Sequence, residues 1–414
     1  MGKTFNLTVC CFLALSLVGV TQATVAADRS KLNPAQWTLA IYMSSDNGLD
    51  DWAEKDLDEM MMVGSTEAVN VLVFWDRFDG PAHAYRVLKG NLEELNNFEL
   101  NGKEPNMGDP ETLKKWVTYT TTNFPSKKYA LLLWDHGDDF RGAMYDEHIP
   151  EEGFDLLTHQ EIVAAIKDFE IDVMLYGACV MQMIEVSYEY LVGGLKINYL
   201  VANEGYDPMD GYPYDIILAN LVKEPNMSPY SLSRMCVDEY INYYQYVGKA
   251  YSQAVTLSVV NIYEVGNVVY NLKNMTAAIK RDMRGYAPIV ETARAHANLP
   301  WSEQGWERDV DLPTFVNTIY NESCDPKEVY GIRPDVVRAV VSYSKSLCNS
   351  LNAAILYHKS LKEKIGYLGM GIFFPTSRDS YENDRHIYGD LYPLMAFAKE
   401  GWLDFLFAYW GVKK

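Results

Sequence analysis

Tyr129-Ala-Leu-Leu-Leu-Trp134 runs directly into Asp135-His136-Gly137, and Ile171-Asp-Val-Met-Leu-Tyr176 runs into Gly177-Ala178-Cys179. Short apolar runs that end on small or reactive residues read as buried parallel strands. In open α/β sheets ligands sit beyond the carboxyl ends of such strands, which puts His136 and Cys179 where chemistry normally happens. A thiol beside an imidazole is a nucleophile with its base. The residues after Cys179 carry a helical pattern, so the cysteine is expected to open a helix whose positive end favours the thiolate.

Working outward, strand and helix signals alternate. Trp37 to Met43 reads as a strand, Ser44 to Gly48 as a turn, and an acidic amphipathic helix follows through about Met62. Val69 to Trp75 is the next strand, with Ala84 to Leu88 returning as its hairpin partner. Pro110 to Phe124 has proline at a first helical turn, and Thr158-His-Gln-Glu161 has capping-box spacing. Ile197 to Ala202 supplies another strand. This alternation predicts an α/β fold, a largely parallel sheet sandwiched by helices. From Tyr214 onward helices dominate, while Ala254 to Val260 and Gly369 to Phe374 are expected to extend the same sheet. The expected organisation is a signal peptide over 1–27, a catalytic core over 28–213 and a mostly helical C-terminal elaboration over 214–414.

The 414 residues, 48% apolar, suffice for a large core, and a net charge of -20 without any basic run argues against nucleic acid. One early cation, Lys3, precedes an apolar run from Leu7 to Val20 and then small residues, which reads as a secretory signal cut near Ala23, Ala26 or Ala27. A membrane anchor is the competing reading, but the run is short for a span. The mature chain is therefore expected outside the cytoplasm, periplasmic or extracellular, with no stable membrane insertion. Cleavage would remove Cys10 and Cys11; of the remaining cysteines, Cys324 and Cys348 are the nearest candidates for a disulfide, and burial explains them equally well.

Several segments together resemble the clostripain family of cysteine peptidases, in the clan of caspases, legumain and gingipains. They are Ala40-Ile-Tyr-Met43 with Asp46-Asn47, Leu133-Trp-Asp-His-Gly137 with Arg141-Gly142, Gly177-Ala-Cys-Val-Met-Gln-Met-Ile-Glu-Val186, Ala202-Asn-Glu204 leading to Asp207-Pro208 and Gly211-Tyr-Pro-Tyr214, Asp311-Leu312 with Phe315, and Gly369 to Pro375. The resemblance implies a caspase-like fold, Cys179 as nucleophile and His136 as general base and acid. The N–H groups of Cys179 and Gly137 would then hold the oxyanion. Alone, Cys179 would read as a small buried hydrophobe and His136 as a surface turn residue; the surrounding motifs favour catalysis. Peptidases of this clan generally work with a dyad, so Asp135 is not assigned a catalytic role.

The chain departs from the family at Gly177, where relatives place an Asp that lines the pocket for Arg or Lys. Two substrate readings follow. Either Glu204 or Asp207 supplies the missing charge, or the small Gly177 opens a deeper pocket for another side chain; the first is favoured. The partner is a protein or peptide substrate, and the alternative is a dormant relative that binds peptides or a partner protein. Between His136 and the Cys179 strand the basic residues are Arg141 and Lys167, so self-cleavage there is not expected. No cofactor and no metal site is expected. Asp46, Asp50 and Asp51 make calcium the ion to consider, yet their spacing is not that of a calcium loop, and helix capping explains them.

Overall fold

The computed structural model describes residues 34–149, 153–246, 255–297, 308–361 and 367–412. The expected signal peptide, with Cys10 and Cys11, lies outside them. Thirteen strands are present among the described residues: β1 (Trp37–Ser45), β2 (Val69–Arg77), β3 (Gly80–Leu88), β4 (Asn91–Glu94), β5 (Tyr129–Trp134), β6 (Ala143–Asp146), β7 (Asp155–Leu157), β8 (Glu170–Gly177), β9 (Lys196–Ala202), β10 (Thr256–Val260), β11 (Asp309–Asp311), β12 (Ile355–Ser360) and β13 (Gly371–Phe373). Nine of them form one sheet in the order β12-β10-β9-β8-β5-β1-β2-β3-β4. Its centre, β9-β8-β5-β1-β2, is parallel, and the strands added at both edges are antiparallel.

Alternation along the strands decides what each face buries. Leu39, Ile41, Leu132 and Val173 face Leu57 of α1 (Asp50–Val63), and on this side also pack α5 (Tyr214–Lys223) and α6 (Pro229–Tyr246). Ala40, Tyr42, Leu131 and Met174 face Trp116 of α2 (Pro110–Asn123) and Ile162 of α3 (His159–Ile166), with Val186 of α4 (Ile184–Val192). The helix starts follow the local chemistry: Asp109 accepts from the Glu111 N–H ahead of Pro110, and Thr158 with Glu161 closes the capping box.

β10 joins the main sheet, but the expected partner from Gly369 to Phe374 does not. Its core, β13, pairs antiparallel with β11 in a separate two-stranded ladder. The reason is its aromatics: Phe373 and Phe374 are wholly buried in a third core that includes Phe315, Tyr392 and Trp402. The sheet edge goes instead to β12, which pairs with β10. The four described cysteines are all free, so the candidate pair Cys324 and Cys348 is not bridged. Cys348 donates to Asn317 at 3.2 Å. Asn317 lies seven residues before Cys324 on the helix Leu312–Cys324, about 10 Å along its axis, beyond disulfide reach.

Candidate active site

β5 and β8 are neighbours, and their register pairs Trp134 with Gly177, so the strands end side by side. The ladder continues one step further, the Asp135 N–H donating to the Gly177 carbonyl at 3.0 Å. His136-Gly137 and Cys179 therefore leave the sheet together. A Cβ on Gly137 would collide with the Cys179 carbonyl oxygen and lie 2.9 Å from Met181 Cε, so only glycine permits this approach. On its other side Gly137 forms a bridge with Ala143 whose bonds run from the Asp138 N–H to Gly142 O and from the Met144 N–H to His136 O. In such a pair the central residue's own N–H points away from its partner, here away from Ala143.

Cys179 does not open a helix. The chain turns over 178–183, and α4 begins at Ile184. Helical bonding is diverted: the Val180 N–H donates to Gly205 O at 2.7 Å, the Gln182 N–H to Asn203 O at 2.8 Å, and Gln182 O receives the Gly371 N–H at 2.9 Å. The positive end of a helix is thus not placed on the thiol. Instead the Asp207 N–H donates to Cys179 Sγ at 3.3 Å, and Tyr206 packs beside it. Desolvation, with the Asp207 charge, pushes the thiol up to about 12. His136 has an exposed rim, its ring meeting Tyr145 edge-on at 6.0 Å, and desolvation holds its imidazole below the ordinary value against the pull of Glu147. Asp135, behind it, is buried; it accepts from Asn47 Nδ2 at 2.8 Å and from the Tyr145 N–H.

Asp139, Met144 and Val180, at φ of 49°, 63° and 51°, are the non-glycine residues with positive φ among those described: Asp139 and Val180 lie in the two loops that carry the site, and Met144 at an irregularity in β6, which follows the first of them. Each costs on the order of 1–3 kcal/mol, held by the surrounding bonds. On the His136 side those bonds are ionic. Arg141 reaches Asp138 at 2.8 Å and Asp139 at 3.3 Å, and Arg308 reaches Asp138 at 2.6 Å and Asp139 at 3.2 Å, with Asp309 and Asp384 close by.

The residues expected to read the substrate separate. Glu204 is buried and committed: it accepts the Gly369 N–H at 2.9 Å and stands against Asp311, whose charge adds to desolvation in raising its pKa. Asp207 is at the thiol, accepts from the Tyr240 hydroxyl, and is raised by desolvation to about 7. At Gly177 a side chain would be tight: an added Cβ would lie 3.1 Å from Trp134 Cδ1, which would have to give slightly, and in ordinary contact at 3.6 Å with Tyr214 Oη. Trp134 Nε1 in turn donates to Asp56 Oδ2 at 2.7 Å. Asp56, buried on α1, is raised well above its ordinary value by desolvation and by Glu59, Asp207 and Asp210. Its place on an acidic helix gives no sign in the sequence that it faces this site.

Among the acids expected to cluster after β1, Asp50 pairs with Arg77 at 3.0 Å. Asp46 turns instead to Asp76 and Asp146, one carboxylate oxygen of each lying within 4.8 Å of the others, the group of described residues suited to a metal ion.

The chain matches the clostripain family over residues 41–410. It is 26% identical over 237 residues to clostripain from Hathewaya histolytica, a match covering 49% of this chain and 45% of that protein, so it spans less than half of that relative's length. Similar solved structures include iotapain, a secreted C11 cysteine protease from Bacteroides thetaiotaomicron (TM-score 0.64, 14% identity, 89% of this chain and 99% of that chain). An inactive zymogen C11 protease from Parabacteroides distasonis gives 0.60 at 16% identity, covering 89% and 98%. A secreted C11 cysteine protease from Bacteroides thetaiotaomicron in complex with an irreversible peptide inhibitor gives 0.58 at 18%, covering 86% and 98%. At such identities the likeness is one of fold.

Proposed function

The chain belongs to the clostripain family of cysteine peptidases, and we propose that it is an exported endopeptidase that cleaves peptide bonds after Arg or Lys with Cys179 and His136. The observation that carries this is the paired exit of β5 and β8, with Gly137 pressed against Cys179 where no side chain fits. The thiol near 12 and the lowered imidazole mean that both groups are neutral at rest, not an ion pair.

The proton therefore moves during attack. His136 takes it from Sγ as the sulfur bonds to the peptide carbonyl carbon, and the oxygen that becomes negative receives the N–H groups of Gly137 and Cys179. The imidazolium returns the proton to the amine as the C–N bond breaks, leaving a thioester. Water, deprotonated by His136, then releases the acid and restores the thiol. For a basic side chain before the cleaved bond, Asp207 at the thiol supplies the charge, with Asp56 behind Trp134 adding to the field. Trp134, 3.1 Å from where a Cβ on Gly177 would stand, occupies part of the space that a deeper pocket for another side chain would need. Export is supported by the Leu7 to Val20 run, and no helix among the described residues is long and apolar enough to cross a membrane.

A peptide panel varied only before the cleaved bond, run on wild type and Cys179→Ala, tests this. Turnover of Arg and Lys peptides is expected, falling to background in the variant. Unchanged turnover by the variant would remove the dyad, and equal turnover of all peptides would remove the basic preference.

A further inference from the structure

We propose that Tyr145 and Phe154 form an aromatic subsite for large apolar side chains on the two residues that follow the cleaved bond. The subsite rests on the reaction proposed above, in which His136 gives its proton to the leaving amine. That amine stands within a hydrogen bond of the imidazole, about 3 Å. The Cα bearing the first departing side chain is one bond further, about 1.5 Å, and the next Cα about 3.8 Å beyond it. Whatever flanks His136 on the side away from Cys179 therefore meets these two side chains.

The sheet order decides which residues those are. Four of its strands lie in the sequence β9-β8-β5-β1. Asp207 follows β9, Cys179 follows β8 and His136 follows β5. A peptide with its basic side chain at Asp207 and its carbonyl at Cys179 thus departs over His136 towards the end of β1. Tyr145 of β6 is fastened there. Its carbonyl accepts from Ser44 Oγ at 2.7 Å and from Asn47 Nδ2 at 3.2 Å, its N–H donates to Asp135, and its hydroxyl donates to Asp138 at 3.4 Å.

The ring held in this way meets the His136 ring edge-on at 6.0 Å. Phe154, just before β7, lies parallel to Tyr145, 4° off and 6.2 Å between centroids, and is 63% exposed. An isolated exposed phenylalanine needs no explanation. This one extends a fixed aromatic wall to at most two ring spacings from the imidazole, within reach of the second departing side chain. Such faces favour apolar and aromatic groups, and a wall already in place loses little freedom when it binds them. The local charge selects in the same direction: Glu147 is near enough to act on the His136 imidazole and repels carboxylates on the departing residues.

Peptides with Arg before the cleaved bond and Gly-Gly, Leu-Leu or Asp-Asp after it, compared by kcat/KM, test the subsite. Wild type is expected to favour Leu-Leu over Gly-Gly roughly tenfold and to place Asp-Asp last. Phe154→Ala should bring the ratio of Leu-Leu to Gly-Gly within about twofold, and Phe154→Leu should keep most of it. Both variants should melt as wild type does, since the side chain is largely in water. Equal turnover of Leu-Leu and Gly-Gly by wild type, a ratio unchanged in Phe154→Ala, or Asp-Asp matching Leu-Leu would each overturn the proposal. Cleavage of all three without discrimination removes the subsite alone, whereas cleavage of none removes the reaction and the subsite with it.

Discussion

Two groups of buried carboxylates brace the loop that carries His136, and they are closed in opposite ways. Asp138, Asp139, Asp309 and Asp384 surround the guanidinium groups of Arg141 and Arg308, each within 4.0 Å of at least one. Asp46, Asp76 and Asp146 meet one imidazole among the described residues, that of His148, whose side chain is 53% exposed. A buried acidic group that contains its own cations is a finished joint between β11, the helix Arg378–Tyr388 and the loop. One that lacks them is a socket. Asp207 and Asp56 resemble the second kind, since the partners of their carboxylates are a hydroxyl and an indole group, and the proposed guest there is the side chain of the substrate.

The largest expected effect probes the finished joint. Arg308→Met leaves several buried carboxylates facing Arg141 alone and should cost about 3–5 kcal/mol in denaturant unfolding. A loss as small as that of a surface ion pair would erase the distinction between joint and socket. Next comes Asp207. Its raised folded-state pKa gives stability that is fully present below the ordinary carboxylate value near 4 and lost as pH rises through about 7. Recognition runs the other way, because only the ionised carboxylate attracts a basic side chain. The preference for Arg over a neutral residue in kcat/KM should rise with pH through about 7, and Asp207→Asn should reduce it on the order of 10- to 100-fold and flatten the rise. A pH-independent preference in wild type would assign the charge to another group. The smallest effect belongs to the outward pair: Asp50→Asn, which releases Arg77, should change stability by less than about 1 kcal/mol in denaturant unfolding. A loss as large as that of Arg308→Met would make this outward pair a buried joint as well.

What the sequence made legible was local or periodic. The β5 and β8 runs, Pro110 at its helix start and the Thr158/Glu161 box all depend on neighbours within a few residues, and the apolar alternation identified both sheet faces. The rest was set by distant contacts. Cys179 loses its helix to bonds with Asn203, Gly205 and Gly371, which no pattern around Cys179 announces. Gly369 to Phe374 has strand composition but is claimed by Phe315 from an earlier helix and Trp402 from a later one. Asp46, Asp76 and Asp146 meet because three strands end together, so grouping acids by adjacency chose Asp50 and Asp51 instead. Of the pocket residues, Asp207 arrived beside the thiol, Glu204 turned inward to Gly369, and Asp56 was hidden in an amphipathic pattern.

The contact between Gly137 and the Cys179 carbonyl bears on how this chain could change over generations. Any side chain at 137 forces the two strand ends apart, so the cost falls on folding before chemistry is reached. In a library screened solely for expression, with no selection for hydrolysis, this position should still admit glycine alone, while the neighbouring His136, with its exposed rim, drifts freely.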